Sequence, residues 1–137
     1  MYKTQMEAAR NGIITEQMKI VAGDEYKNPE EIRDLVAKGQ VVICGNKLHK
    51  CIEPKGIGSM LKTKINVNLG ISRDCKDYDI EMEKVQASIK LGADAIMDLS
   101  SHGNTQPFRQ KLVSECSAMI GTVPVYDSVI HYQRDLA

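Results

Sequence analysis

A chain of 137 residues with 42% hydrophobic content can bury one modest core and is too short for two ordinary domains. Its 18 Lys and Arg balance 18 Asp and Glu, and no basic run carries interleaved aromatics, so neither nucleic acid nor an anionic membrane is implied as a partner. No apolar segment approaches transmembrane length and the opening MYKTQMEAAR lacks the apolar centre of a signal peptide, so the cytoplasm is the expected location.

Residues 1–40 read as an N-terminal helical segment. TQMEAAR and TEQMKIVAGDE are two helices parted at Asn11 and Gly12, with Thr15 capping the second and Met18, Ile20 and Val21 as its apolar stripe. The third helix has the fullest set of signals. Asn28 is its N-cap, Pro29 its first residue, Glu31 is spaced for a capping box, Ile32, Leu35 and Val36 form its inner face, and Gly39 stops it.

Val41 to Cys44 is a short apolar run expected to be a strand. Residues 45–59, with three glycines and a proline, read as one long loop, a length that commonly serves function. The segment KINVNLG, residues 64–70, then alternates strictly: Ile65, Val67 and Leu69 on one side, Lys64, Asn66 and Asn68 on the other. A strand covered on both faces would be apolar throughout. That polar face therefore either meets water or lines a polar cavity.

Beyond it the chain becomes regular. A helix from about Asp79 to Leu91 presents Met82, Val85 and Ile89, a strand runs from Ala95 to Leu99, a helix begins near Pro107, and a last strand runs from about Ile120 to Val125, ending at Tyr126. Strand and helix alternating at this spacing predict βαβ units around a parallel sheet, so the fold class is α/β. Ligands of such sheets bind at the carboxyl ends of the strands. Asn68, Met97 and Tyr126 stand at those ends, 29 residues apart in each step. The matching parity gives a pocket of Asn66, Asn68, Met97, Thr122 and Tyr126, a lining suited to a small heterocyclic or sugar-like ligand. Each of these residues also has a plainer role: Met97 as core, Tyr126 as a half-buried ring, Asp98 as a local cap.

The cysteines, at 44, 51, 75 and 116, form no C-x-x-C pair and read as small buried or half-buried hydrophobes. Cys44, His49 and Cys51 suggest a metal corner but lack the further ligands that zinc or an iron-sulfur cluster needs. His102 lies in the turn SSHGN, whose Gly103 and Asn104 could offer amides to a phosphate without completing a phosphate loop.

TQMEAARNGIIT, KINVNLG, GADAIMDLS and GTVPVYD, in this order, resemble the phosphomethylpyrimidine synthase (ThiC) family across essentially the whole chain. The resemblance implies a (β/α)8, TIM-like barrel, of which residues 41–137 would be the first βα units and the chain an N-terminal portion. It implies radical S-adenosylmethionine lyase chemistry in thiamin biosynthesis, with a [4Fe-4S] cluster on three cysteines converting 5-aminoimidazole ribotide to hydroxymethylpyrimidine phosphate. The family's ribotide contacts in this region correspond to Asn68, Met97 and Tyr126. The cluster motif and the family's metal-binding (zinc) histidines have no counterpart here, so this portion alone is expected to bind neither cluster nor metal and to be inactive. GISRDC after Asn68 and MDLSSHGN depart from the commoner family loops. The 5-hydroxybenzimidazole synthases of anaerobic cobamide biosynthesis share the ribotide and the radical apparatus, and a short non-catalytic ligand-binding relative is the third reading. An unpaired sheet edge would favour a homo-oligomer.

Overall fold

The computed structural model describes residues 2–132, so the end of the 41–137 segment lies outside the described residues. Backbone contacts gather the chain into two compact units, one holding residues up to Gly45 with Pro54–Lys64, the other Asn46–Glu53 with the chain from Ile65 onward.

In the first unit the caps act as the sequence predicts. Helix α1 spans Gln5–Arg10, α2 Glu16–Glu25 and α3 Pro29–Ala37. Thr15 Oγ1 accepts the Met18 N–H at 3.2 Å, and Glu31 Oε2 accepts the Asn28 N–H at 3.0 Å, the return half of the capping box. Met18, Val21, Ala22, Ile32 and Val36 join Ala9 and Val41 in one core, whereas Ile20 is exposed rather than part of the stripe.

Strand β1, Val41–Ile43, pairs antiparallel with β2, Gly56–Gly58, inside the stretch expected to be loop, and is not a fourth strand of the parallel series. Two glycines around one isoleucine carry little strand propensity. Close packing explains their use: a Cβ at Gly56 would lie 2.7 Å from Val21 Cγ1 and 2.8 Å from Leu61 Cδ1. Lys64 closes this unit, its Nζ 2.6 Å from Glu25 Oε1, while Glu25 Oε2 accepts the Lys62 N–H at 2.7 Å.

The second unit holds β3 (Asn66–Leu69), α4 (Tyr78–Lys90), β4 (Ala95–Asp98), α5 (Thr105–Glu115), β5 (Met119–Thr122) and α6 (Pro124–Tyr132). The strands form a parallel sheet in the order β3-β4-β5. Helix α5 starts two residues before Pro107 because Asn104 caps it, leaving the proline in the first turn, where its missing N–H costs nothing. Met82 and Val85 of α4 and Phe108 and Leu112 of α5 pack with Val67, Ile96 and Ile120, which pair across the three strands. Both helices therefore cover the same face of the sheet. Val67, Met82 and Val85 repeat the inward positions read from the sequence, and the face opposite α4 and α5 carries Asn66, Asn68, Met97 and Gly121. Among the described residues no helix is long and apolar enough to cross a membrane.

Candidate functional site

Register decides what stands at one height. Asn68 pairs with Met97, and Met97 with Gly121. The third place expected for Tyr126 thus belongs to a glycine, and its missing side chain makes room for Met97, since a Cβ there would lie 2.7 Å from Met97 Cε. Thr122 pairs with Asp98 and so faces away from Asn68 and Met97, a second correction to the expected pocket. Both errors have one source. Strand β5 ends at Thr122, and Pro124 opens α6 as a first-turn proline, so Tyr126 lies in that helix's first turn just beyond the carboxyl end of the strand. The signal was available in TVPVYD, where a proline with an aspartate three residues later suits the first turn of a helix better than a strand interior.

The polar face of β3 is open. Asn66 and Asn68 are both exposed, and Asn66 Nδ2 donates to Asn68 Oδ1 at 2.9 Å, leaving Asn68 Nδ2 without an acceptor among the described residues. Lys64, the third member of the alternation, leaves the strand for its ion pair with Glu25.

Beneath the strand ends lies a charged network that the sequence did not announce. Asp98, whose side chain is fully buried, accepts the Ser100 N–H at 2.9 Å through Oδ1 and Arg109 Nε at 3.0 Å through Oδ2. Arg109 turns its Nη1 to Asp127 Oδ2 at 2.8 Å, and Thr105 Oγ1 donates to Asp127 Oδ1 at 2.6 Å. Burial opposes charge on Asp127, but the bonds from Arg109 and Thr105 outweigh it and hold the carboxyl below its ordinary value. Arg109 is likewise opposed by burial, and its two carboxylates outweigh that and raise its pKa. Ser100 Oγ in turn accepts the Ile71 N–H at 3.0 Å, which ties the exit of β3 to the exit of β4. Asp98 does cap a neighbouring amide as a strand-end carboxylate can, and it also carries half of an ion network.

A second buried carboxylate holds the other side of the β3 exit. Glu81 of α4 accepts the Gly70 N–H at 2.9 Å and the Cys75 thiol at 3.2 Å, with Lys84 as its ion-pair partner. Burial pushes its pKa up, yet these three partners outweigh burial and lower it. At Gly70 the backbone has φ 141°, and a Cβ there would meet Ser100 N at 2.5 Å, so glycine is required for the two exits to touch.

The Radical SAM ThiC family matches residues 4–136 of this chain. The chain belongs to that family. It is 60% identical over 135 residues to the phosphomethylpyrimidine synthase of Alkaliphilus oremlandii, 54% over 136 residues to that of Clostridium kluyveri and 55% over 135 residues to that of Clostridioides difficile. These matches cover 98–99% of the chain and 31% of each relative, so the chain spans about a third of the length of the curated proteins it matches.

A cluster of the kind radical SAM chemistry uses needs three converging cysteine thiolates. The residues here do not fit one. Cys51 Sγ donates to the Cys116 carbonyl at 3.1 Å, and Cys75 is spent on Glu81. His49, suggested as a metal corner with Cys44 and Cys51, is buried and donates Nε2–H to the Cys116 carbonyl at 2.6 Å. Among the described residues no group of three or more His, Cys, Asp or Glu is gathered as a metal site. In the loop before α5, Asn104 spends its side chain on the Gln106 N–H at 3.3 Å and its carbonyl on the Tyr78 hydroxyl at 2.6 Å. A cavity of about 340 Å³ lies along α5, lined by Gln106, Arg109 and Val113 with Asn46 and Leu48, and includes none of Asn68, Met97 and Tyr126.

Proposed function

We propose that this chain is part of a radical S-adenosylmethionine phosphomethylpyrimidine synthase and contributes one side of its pocket for 5-aminoimidazole ribotide. Kinship supports the activity: the relatives that match nearly all of the chain at 54–60% identity carry that name. The finer fold reading, the first βα units of a TIM-like barrel, is supported by α4 and α5 lying on one face of the parallel sheet, where a doubly wound sheet would divide its helices between both faces. The face opposite α4 and α5 would then look into the barrel, which turns the row of exposed Asn66 and Asn68 and half-buried Met97 into an inner lining.

In that setting Asn68 offers an amide nitrogen to a polar edge of the ligand, and Met97 offers its thioether over Gly121 to the flat heterocycle. Tyr126, at the start of α6, supplies a ring and a hydroxyl from the third strand end. S-adenosylmethionine and the [4Fe-4S] cluster would supply the radical chemistry, and the residues described here bind and orient the substrate. Calorimetric titration of the full-length enzyme with 5-aminoimidazole ribotide tests this. Asn68→Ala and Tyr126→Phe should each weaken binding, and wild-type affinity in both would remove the pocket assignment.

A further inference from the structure

Asn68, Met97 and Tyr126 sit on three separate chain segments, so something has to hold those segments in register if they are to meet one ligand. Backbone pairing does this for Asn68 and Met97. It cannot do it for Tyr126, which lies past the end of β5 in a helix that has no buried residue to anchor it. Apolar packing therefore gives α6 little purchase, and its position depends on polar contacts. The network below the strand ends supplies them. Asp98 is the residue after Met97, and Asp127 is the residue after Tyr126. Arg109 joins these two carboxylates, at 3.0 Å to one and 2.8 Å to the other. Asp98 also fixes the Ser100 amide, and Ser100 fixes the Ile71 amide, three residues past Asn68.

We propose that Arg109 is a positioning residue for the ribotide site, setting Tyr126 against Met97 by bridging the carboxylates that follow each of them in the chain. The proposal rests on the pocket reading given above. A guanidinium suits the task because its fixed fork can address two carboxylates at once in defined directions, whereas an ammonium is a point charge that satisfies one well and the other poorly. Thr105, hydrogen-bonded to Asp127, adds a second tie from α5 to α6. Arg109 is a quarter exposed in its side chain, while Asp98 is fully buried, so the bridge is anchored at the strand and adjustable at the helix.

The test compares ribotide titrations of the full-length enzyme carrying Arg109→Gln, Arg109→Lys or Asp127→Asn, each alone and combined with Tyr126→Phe, with thermal unfolding recorded beside each. Arg109→Gln should weaken ribotide binding about tenfold while the folded state persists, the scale expected when a binding group is misplaced by a fraction of an ångström. Arg109→Lys should recover only part of that. If the arginine acts through the tyrosine, Tyr126→Phe should cost much less in the Arg109→Gln background than in the wild type, because the two changes remove one interaction rather than two. Equal cost in both backgrounds, or wild-type affinity in a folded Arg109→Gln variant, would overturn the positioning role. Should Arg109→Gln fail to fold, Asp127→Asn decides by the same comparison, since it removes only the less buried end of the bridge. Wild-type affinity in Asn68→Ala and Tyr126→Phe would instead overturn the pocket reading itself, a result distinct from the loss of the arginine's role alone.

Discussion

Each unit of the molecule buries carboxylates against cations, and Glu25 with Lys64 in the first does different work from Asp98 with Arg109 in the second. In the first, Lys64 meets Glu25 at 2.6 Å with side-chain exposures of 12% and 3%, and a backbone amide two residues away completes the carboxylate's partners. That pair is closed on itself and holds the end of the unit's chain. In the second, Arg109 meets Asp98 and then reaches on to Asp127, so that one cation links a strand end to a helix start. Buried charge is costly wherever it is placed. The difference lies in what stands beside it: structural turns near Glu25, and Met97 and Tyr126 beside the carboxylates of Arg109.

The comparison can be broken most strongly by removing the buried carboxylates. Glu25→Ala and Asp98→Ala should each cost about 3 kcal/mol of stability in urea unfolding, since each leaves a cation short of its buried partner. Only Asp98→Ala should also weaken ribotide binding in the folded protein, and a matching loss in Glu25→Ala would erase the distinction between the units. Gly70→Ala should cost about 2 kcal/mol, because an alanine there must hold a left-handed backbone and push against the Ser100 amide. That cost should appear together with weaker binding, since the displaced segment carries Asn68.

Acid sharpens the comparison more gently. Glu25, Glu81 and Asp127 all have pKa values below the ordinary carboxylate value, as partners outweigh burial in each. A carboxyl lowered on folding stabilises the native state fully above its unfolded pKa and loses that contribution as the pH falls through the folded value. Stability should therefore be flat near neutrality and decline below about pH 4.5 in denaturant titrations. Asp127→Asn should flatten part of that decline. The smallest effect should come from Lys111→Ala: its pair with Asp79, at 2.9 Å, is exposed, and the melting temperature should not move measurably.

Local signals were legible in proportion to how local their causes are. Thr15, Asn28, Pro29 and Glu31 act within one helical turn, and the helices began where those residues stood. The alternation of β3 foretold its apolar side because strand parity is a property of neighbouring residues, as Val67 and Leu69 packing against the core bear out. The same alternation misled at Lys64, where a distant carboxylate drew the side chain out of the pattern. Tyr126 was misplaced by a boundary error of a few residues, and because strand parity has period two that error also reversed the assignment of Thr122.

From the sequence alone came the α/β class, the order of the βα elements, the family and the three residues proposed for the ribotide. Propensity, periodicity and motif identity all reside in short stretches of chain. Only the tertiary structure decided that β1 pairs with β2, that Gly121 lies beside Met97, and that Arg109 bridges Asp98 and Asp127. Those are contacts between residues 11 to 24 positions apart, and nothing in the types of two such residues says that folding will bring them together.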